Sequence, residues 1–481
     1  MGKIWSKSDE GTSLHPEYVT SRALFSNSEY AILCSCFESA TGQNATGMSE
    51  ESFKQTFKSL RPWNAYRVLF EEMCVTSKRF CGKKGTVSGT VVVLEGFVCV
   101  ASRLLKGGQE EIAQLLLRMA LANDASHKAS DAHAHSISKE KLHAFLLQLC
   151  KLFESFLRDS KRLKSWNFDI GMLDRSFENL CFFFVHELRP GAGKTDVFTH
   201  EDIEKWVAKI YLFQSIWRYL FLSVFKFPTI DTDLVPFCGN SDLAVPGSPL
   251  DPVSLIWLNS HILADHRGQW GLLYSTSAHG ESFSRLLSSV DGKGPCIVII
   301  RDSQNAVFGG YAATGFSAGP NFSGDSNCFL FSLLPRLRLY PASGRGQNYC
   351  YLNSNQQTLP NGLGFGGHID KNVHFFSLWL SSEWGTGKSQ KDGTTFASPR
   401  LSTDEQFTLA CLEVWSVGPK RIKDDKSTIS PVVPAQPSVL DKDPAVKAML
   451  AMTGRGPHSE GLRETDKTAA TPGNTTLYKT G

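Results

Sequence analysis

Several short stretches carry residue types that could do chemistry. His279-Gly-Glu-Ser-Phe283 places a base, a carboxylate and a hydroxyl side by side. Catalysis needs nucleophile, base and orienting group in mutual contact, and neighbours in one turn seldom achieve that. The stretch reads instead as a helix start, with Gly280 and Ser282 suited to the entry and Glu281 in a first turn favoured by the helix dipole. Gly362-Leu-Gly-Phe-Gly-Gly367 matches the glycine spacing of a dinucleotide loop. That loop needs a strand before it and a helix after it. A strand-like run follows instead, so the glycines read as tight turns and places of close backbone approach. Arg189-Pro-Gly-Ala-Gly-Lys-Thr195 ends like a phosphate-cradling loop but lacks the leading glycine and follows a helical segment. His133 and His135 form a lone polar doublet in a loop. None of the twelve cysteines falls in a Cys-x-x-Cys pair, so a zinc ribbon or a thioredoxin-like motif has no support. Cys34 and Cys36 point to different faces of either a helix or a strand and read as packing residues. These readings predict no cofactor, no metal and no catalytic residue.

Two features point to recognition. The chain opens Met-Gly-Lys-Ile-Trp-Ser-Lys, and Gly2 followed by Ser6 fits N-myristoylation, with Lys3 and Lys7 available to an anionic leaflet. One acyl chain binds a membrane only marginally, with a constant of order 10⁴ per molar, so a second contact is expected. Near the other end Asp443 suits a cap, Pro444 a first helical position and Gly454 a stop. Val446, Met449, Leu450 and Thr453 fall on one face of that helix, which is too short to persist alone in water. It docks either on its own domain or on a partner, with those four residues as candidate contacts.

With 481 residues, two or three domains are expected. Hydrophobic residues make up 41% and charged residues 20%, an ordinary globular balance. A formal charge of +3 gives no argument for nucleic acid as a partner. The absence of a secretory apolar region at the N-terminus and the unpaired cysteine spacing favour reduced thiols in the cytosol.

The elements that position these features divide the chain. Residues 1–19 form the acylation segment and 20–227 a helical region, with apolar residues at three- and four-residue spacing over 29–39, 50–60, 65–80, 92–105, 110–122, 138–157, 173–188 and 202–225. Ser138 and Thr199 stand where N-caps belong. Aligned as a calcium-binding EF-hand loop, 84–95 puts Gly89 at the sharp turn, Val91 at the short strand position and Glu95 at the last ligand position. Lys84, Thr86 and Ser88 occupy the earlier ligand places, so the carboxylates that calcium needs are missing. Similar ligand-free units can be drawn around Ile137 and Phe198; a plain helical bundle is the other reading. Residues 206–227 are the most apolar run but include Lys209, Arg218 and Lys226, which favours a buried helix joining the halves over a membrane span. A linker (228–253) rich in Pro and Gly precedes a β-rich region (254–418), followed by a second linker (419–442), the short helix (443–454) and a polar tail (455–481). In the β-rich region 296–301, 306–313, 329–333, 349–352 and 374–380 read as strands, and 255–263 and 282–290 as helices.

The blocks of this region, in order, are Ser254-Leu-Ile-Trp-Leu-Asn-Ser260, Trp270-Gly-Leu-Leu-Tyr-Ser275, His279-Gly-Glu-Ser-Phe283, Val307-Phe-Gly-Gly-Tyr-Ala312, Cys328-Phe-Leu-Phe-Ser332, Leu363-Gly-Phe-Gly-Gly367 and Leu412-Glu-Val-Trp-Ser-Val-Gly418. Together they resemble the TLDc domain. The Met-Gly start, the helical first half and Pro457-His-Ser-Glu-Gly-Leu-Arg463 are similar to the myristoylated, lysosome-associated branch of that family tied to mTOR signalling. Many members carry a cysteine before the Thr394-Thr-Phe396 stretch; here Gly393 stands there, so no role for that thiol transfers. The resemblance implies a multidomain protein. Its parts would be an all-α N-terminal half with degenerate EF-hand-like units, an α+β TLDc domain with a β-sandwich core and flanking helices, and a C-terminal helix. It also implies a non-enzymatic regulator of the cytosolic sector of the V-ATPase at lysosomal and endosomal membranes, linked to mTOR signalling and protection from oxidative stress. The partners implied are V-ATPase cytosolic subunits, the mTOR kinase complex and, through the acyl chain on Gly2, the membrane. Two alternatives stay open: a scaffold for the mTOR kinase pathway without direct pump binding, and a redox-active enzyme.

Overall fold

The computed structural model describes residues 15–41, 47–60, 66–80, 91–122, 136–190, 196–227, 234–239, 247–370, 374–391 and 393–418. The chain divides into two units, Met1–Lys420 and Arg421–Gly481, and the described residues all belong to the first. Gly2, the loop residues 84–90, His133, His135, the Gly-Lys-Thr run at 193–195 and the 443–454 helix with Val446, Met449, Leu450 and Thr453 lie outside them.

The first half is helical: α1 (Pro16–Ala23), α2 (Asn27–Thr41), α3 (Glu50–Thr56), α4 (Tyr66–Phe80), α5 (Leu94–Lys106), α6 (Gln109–Ala122), α7 (Lys139–Arg158), α8 (Lys161–Lys164), α9 (Ile170–Glu187), α10 (His200–Lys209) and α11 (Tyr211–Val224). The starts are chemical. Ser49, Ser138, Asp169 and Thr199 each accept a backbone N–H of the first turn, and Thr199 with Asp202 closes a reciprocal capping box. The apolar stripes that set the period are buried, as Leu142, Phe145, Leu146, Leu149, Phe153 and Leu157 are on α7. Two departures from the expected pattern stand out. The helix expected over 202–225 breaks at Ile210, whose φ of −104° and ψ of 85° end α10 and start α11. The apolar spacing runs through the break, with Trp206, Ile210, Phe213 and Trp217 all buried. In addition, α1 begins inside the stretch assigned to the acylation segment; none of its residues is buried, so it carries no apolar stripe to read. Among the described residues no helix is long and apolar enough to cross a membrane.

Backbone bridges tie these helices in pairs. Ser136–Ser138 (β1) and Val197–Thr199 (β2) run antiparallel with Ile137 opposite Phe198. Met48 and Val92 exchange both N–H···O bonds, at 2.8 and 3.0 Å. Each of the four segments leads directly into a helix: α3, α5, α7 or α10.

The second half is a sheet with helices on it. Asp251 accepts the N–H groups of Val253 and Ser254 at 2.9 and 3.0 Å and so starts α12 (Pro252–His261), nine of whose ten residues are buried. A helix apolar all round has to be enclosed. Before it lies β3 (Phe237–Cys238), and after it come β4 (Gln269–Ser275), α13 (Thr276–His279), α14 (Phe283–Val290), β5 (Cys296–Asp302), β6 (Val307–Ala312), β7 (Phe329–Leu334), β8 (Arg338–Pro341), β9 (Cys350–Asn353), β10 (Gly362–Phe365), β11 (His368–Ile369), β12 (His374–Phe375), β13 (Leu378–Ser381), β14 (Thr386–Ser389) and β15 (Gln406–Val417). The strand order is β8-β7-β6-β5-β15-β14-β13-β10-β9, with β4 beside β15 and β3 beside β4. All pairs are antiparallel except β3 with β4. The long β15 pairs β14 at its start and both β4 and β5 at its end. The two arms therefore fold over one another: the side of Gly310 on β6 faces the Phe365 ring of β10, and Phe316 packs edge-on against that ring. The run expected as one strand over 374–380 is two short strands, because Phe376 and Ser377 leave the ladder between them.

Candidate interaction site

The two halves meet along a polar and aromatic seam. Arg162, on α8, donates to the carbonyls of Val235 and Gly268 at 3.1 and 3.3 Å, Trp166 Nε1 donates to the Pro236 carbonyl at 2.8 Å, and the Cys238 N–H donates to Ser165 Oγ at 3.0 Å. The Trp166 ring lies 5.0 Å from Trp415 and 6.0 Å from Trp270. Farther along, Ser176 Oγ on α9 donates to Asp251 Oδ1 at 2.5 Å, joining a helix of one half to the cap of α12 in the other.

Beside this seam α9 and the β7–β8 turn line an open groove. The face of α9 formed by Leu173, Phe177, Leu180, Cys181, Phe184 and Leu188 is buried in the helical half. Phe182 falls off that stripe and is 67% exposed, while Leu334 across the groove is 41% exposed. The last turn of α9 supplies His186 and Glu187. The turn of the sheet half supplies Pro335, Arg336 and Arg338. Arg338 pairs with the buried Glu187, and Lys209 lies 3.5 Å from the same carboxylate. Burial alone would push the Glu187 carboxyl up; the Arg338 and Lys209 cations outweigh it and hold it below the usual carboxylate range. Arg336 is exposed, and its partner among the described residues is His186 Nε2 at 3.3 Å. The arrangement joins an exposed apolar patch to a guanidinium able to take a carboxylate. It can bind an amphipathic segment.

The other sequence candidates resolve into structure. The Ser275 N–H donates to His279 Nδ1 at 3.0 Å, Ser282 caps α14 through the Arg285 N–H, and Glu281 is exposed ahead of that cap and not in the first turn. The glycine run forms the strand β10 and brings the close approach that was expected beside tight turns. A Cβ on Gly362 would meet the Trp379 ring at 2.4 Å and one on Gly364 would meet Phe376 at 2.7 Å, so the glycines are a bed for the stacked pair Phe376–Trp379, whose ring centroids are 4.3 Å apart. Only Gly366 and Gly367 form a turn, with φ of 66° and 104°. Glu413 is buried; its Oε2 accepts from Trp415 Nε1 and Ser248 Oγ, each at 2.9 Å, and burial pushes its pKa up to about 6. Cys34 is half-exposed, while Cys36 is buried and its thiol donates to the Phe225 carbonyl at 2.8 Å. No group of three His, Cys, Asp or Glu among the described residues is placed to hold a metal ion. The groove residues Phe182, Arg336 and Arg338 were not singled out from the sequence. The available signal was Phe182 itself, an aromatic residue off the apolar stripe of its helix.

The family profile of the TLDc domain matches residues 250–418. The MTOR-associated protein MEAK7 of Gallus gallus is 35% identical over 89% of this chain and 92% of its own length, and that of Homo sapiens 31% over 77% and 80%. The Oxidation resistance protein 1 of Bos taurus is 29% identical over 39% of this chain and 20% of its own length. The chain belongs to the TLDc-containing family of MTOR-associated MEAK7 proteins.

Proposed function

We propose that this chain is a non-enzymatic regulator that binds the cytosolic sector of the V-ATPase at lysosomal and endosomal membranes, with a link to mTOR signalling and to protection from oxidative stress. The observation that carries the reading is the likeness along nearly the whole chain, helical half included, to a relative named for association with MTOR. The pump and the membrane address rest on the family resemblance of the sequence. The groove at the seam supports a binding role because its apolar and cationic parts are already assembled. In this reading 1–19 carries the acyl chain on Gly2, the helical region to 227 and the TLDc region from 254 grip one partner surface, and the 443–454 helix supplies a second contact through Val446, Met449, Leu450 and Thr453. The bridged helix pairs are then EF-hand-like units that keep the short backbone pairing and have given up calcium, so binding is indifferent to calcium.

The test is co-sedimentation of the purified chain with solubilised, intact V-ATPase, with and without calcium. Near-stoichiometric binding in both conditions is expected, and weaker binding after removal of 443–481. Phe182→Ala combined with Arg336→Glu is expected to weaken binding at least about tenfold, the loss of one aromatic anchor and one charge contact, while both exposed positions leave stability within about 0.5 kcal/mol. No sedimentation in either condition rejects direct pump binding. The second reading, a scaffold for the mTOR kinase pathway, is favoured by the relatives' name; it predicts recovery of the kinase complex from detergent extracts without the pump.

A further inference from the structure

Two thiols far apart in the strand order meet where the sheet folds over itself. Cys328 directly precedes β7, the second strand of the order, and Cys350 opens β9, the last. Their sulfurs are 3.9 Å apart, and both residues are buried. Cys350 is fixed by paired backbone bonds with Ser323, at 2.8 and 2.9 Å. The Cys328 sulfur accepts the Ala313 N–H at 3.4 Å. Above the pair lies Gly324, at φ 102° in a partly exposed turn. A Cβ there would stand 3.2 Å from one sulfur and 3.5 Å from the other, so a residue without a side chain covers both thiols. Closing from this distance to a bond of about 2.05 Å needs a movement of roughly 2 Å, within reach of small side-chain rotations.

We propose that Cys328 and Cys350 are a modification site for hydroperoxides, closing to a disulfide that staples β7 to β9. Cys328 is the attacking sulfur: the hydrogen bond from the Cys350 thiol holds its pKa below the usual value in spite of burial, while burial and that same bond push Cys350 well above it. In the first step the Cys328 thiolate takes the outer oxygen of hydrogen peroxide, the O–O bond breaks, and the departing oxygen leaves as water with the protons of the thiol and the peroxide, giving a sulfenic acid. In the second step the Cys350 sulfur attacks that sulfenyl sulfur, the S–O bond breaks, and water leaves with the Cys350 proton. Two thiols are oxidised by two electrons, and one peroxide is reduced to two waters. This site is independent of the pump and kinase readings.

The test uses the full chain, purified reduced, treated briefly with hydrogen peroxide, alkylated in denaturant and digested with trypsin without reduction. Cleavage at Arg301, Arg336, Arg345 and Lys371 places the two cysteines on separate peptides, 302–336 and 346–371. The expected product is those peptides joined with loss of two hydrogens. In Cys350→Ser, Cys328 is expected to stop at a sulfenic acid trapped by dimedone; in Cys328→Ser, Cys350 is expected to remain alkylatable. Recovery of both as free thiols after peroxide has oxidised the half-exposed Cys34 overturns the proposal. So does equal oxidation of Cys350 with and without Cys328. The wild-type digest decides the first point even if a variant folds poorly.

Discussion

The helical half and the sheet half enclose cores of similar residue types by different means. The helical half relies on side chains: stripes of Leu and Phe meet across helices, and a misfit can be absorbed by a rotamer. Its buried acids are paired with arginines: Glu72 with Arg118 and, at 3.7 Å, Arg103, Glu154 with Arg158, and Glu187 with Arg338. The sheet half relies on the backbone as well. At Gly309, Gly362 and Gly387 an added Cβ would meet a carbonyl of the neighbouring strand at 1.9, 2.3 and 2.7 Å, and its buried Glu413 accepts hydrogen bonds from Trp415 and Ser248. The difference teaches where this protein tolerates change: freely on helix surfaces, poorly where two strands and a ring share the space of one missing side chain.

The strongest way to break that contrast is a matched pair of glycine substitutions. Gly309→Ala puts a methyl against the Val298 carbonyl and 2.8 Å from the Phe331 ring, so the β5–β6 ladder has to open. A loss of at least about 3 kcal/mol is expected, in the range of overpacking with backbone displacement. Gly171→Ala in the first turn of α9 meets only Asp169 Oδ2, at 3.2 Å. Alanine's helix preference, up to about 1 kcal/mol, offsets disturbance of that cap. Urea midpoints of the two variants measure the difference, and similar losses in both would remove the contrast. Gly96→Ala sharpens it from the other side. That glycine packs on α4 with Ser77 Oγ 2.1 Å and Ser77 Cα 2.9 Å from the added Cβ, so this one helix crossing is expected to behave like the sheet.

These positions also show what the sequence could and could not tell. Helix α7 is legible because it buries one stripe, and 3.6-residue spacing reports a stripe directly. The break at Ile210 is invisible to it, since Trp206, Ile210, Phe213 and Trp217 are all buried and keep helical spacing through the turn. The order of blocks in the sheet half identifies the domain, but the work of Gly362 and Gly364 depends on Trp379 and Phe376, which reach them only after β10 and β13 pair. The groove is harder still. Phe182 and Arg336 are 154 positions apart, and nothing local brings them together. Gly2, Val446, Met449, Leu450 and Thr453, the residues singled out for lipidation and partner contact, fall outside the described residues.

A middle-sized effect is expected where the halves join. Arg338→Ala takes from the buried Glu187 the cation with which it pairs and leaves Lys209 at 3.5 Å. Removing one partner of a buried pair costs several kcal/mol; with Arg338 one-third exposed and a second cation near, about 2 kcal/mol is expected here. Because the Glu187 carboxyl is held below its ordinary value in the folded state, its contribution is present above the unfolded carboxylate pKa and is lost as pH falls through the folded one. The wild type is therefore expected to lose this part of its stability in acid, and Arg338→Ala to have lost it already at neutral pH. An unchanged acid limb in the variant would mean that the seam is not held by this pair.

Glu413 gives the opposite sign from the other side of the comparison. Its folded pKa is raised, from 4.5 to about 6, so between these values the folded state binds more protons than the unfolded chain. Stability from this group is complete below the unfolded value and falls as pH rises to the folded one. The gap corresponds to about 2 kcal/mol by neutral pH. Glu413→Gln keeps an oxygen to accept from Trp415 and Ser248 and removes the ionisation. It is expected to gain about 1–2 kcal/mol at pH 7.5 and nothing at pH 4, since the wild-type side chain is then a neutral acid of nearly the same shape. Urea midpoints across pH 4 to 8 for both proteins measure it. Coincident curves would mean that Glu413 does not ionise in its buried site within this range, and the sheet half would then owe its intolerance to the glycines alone.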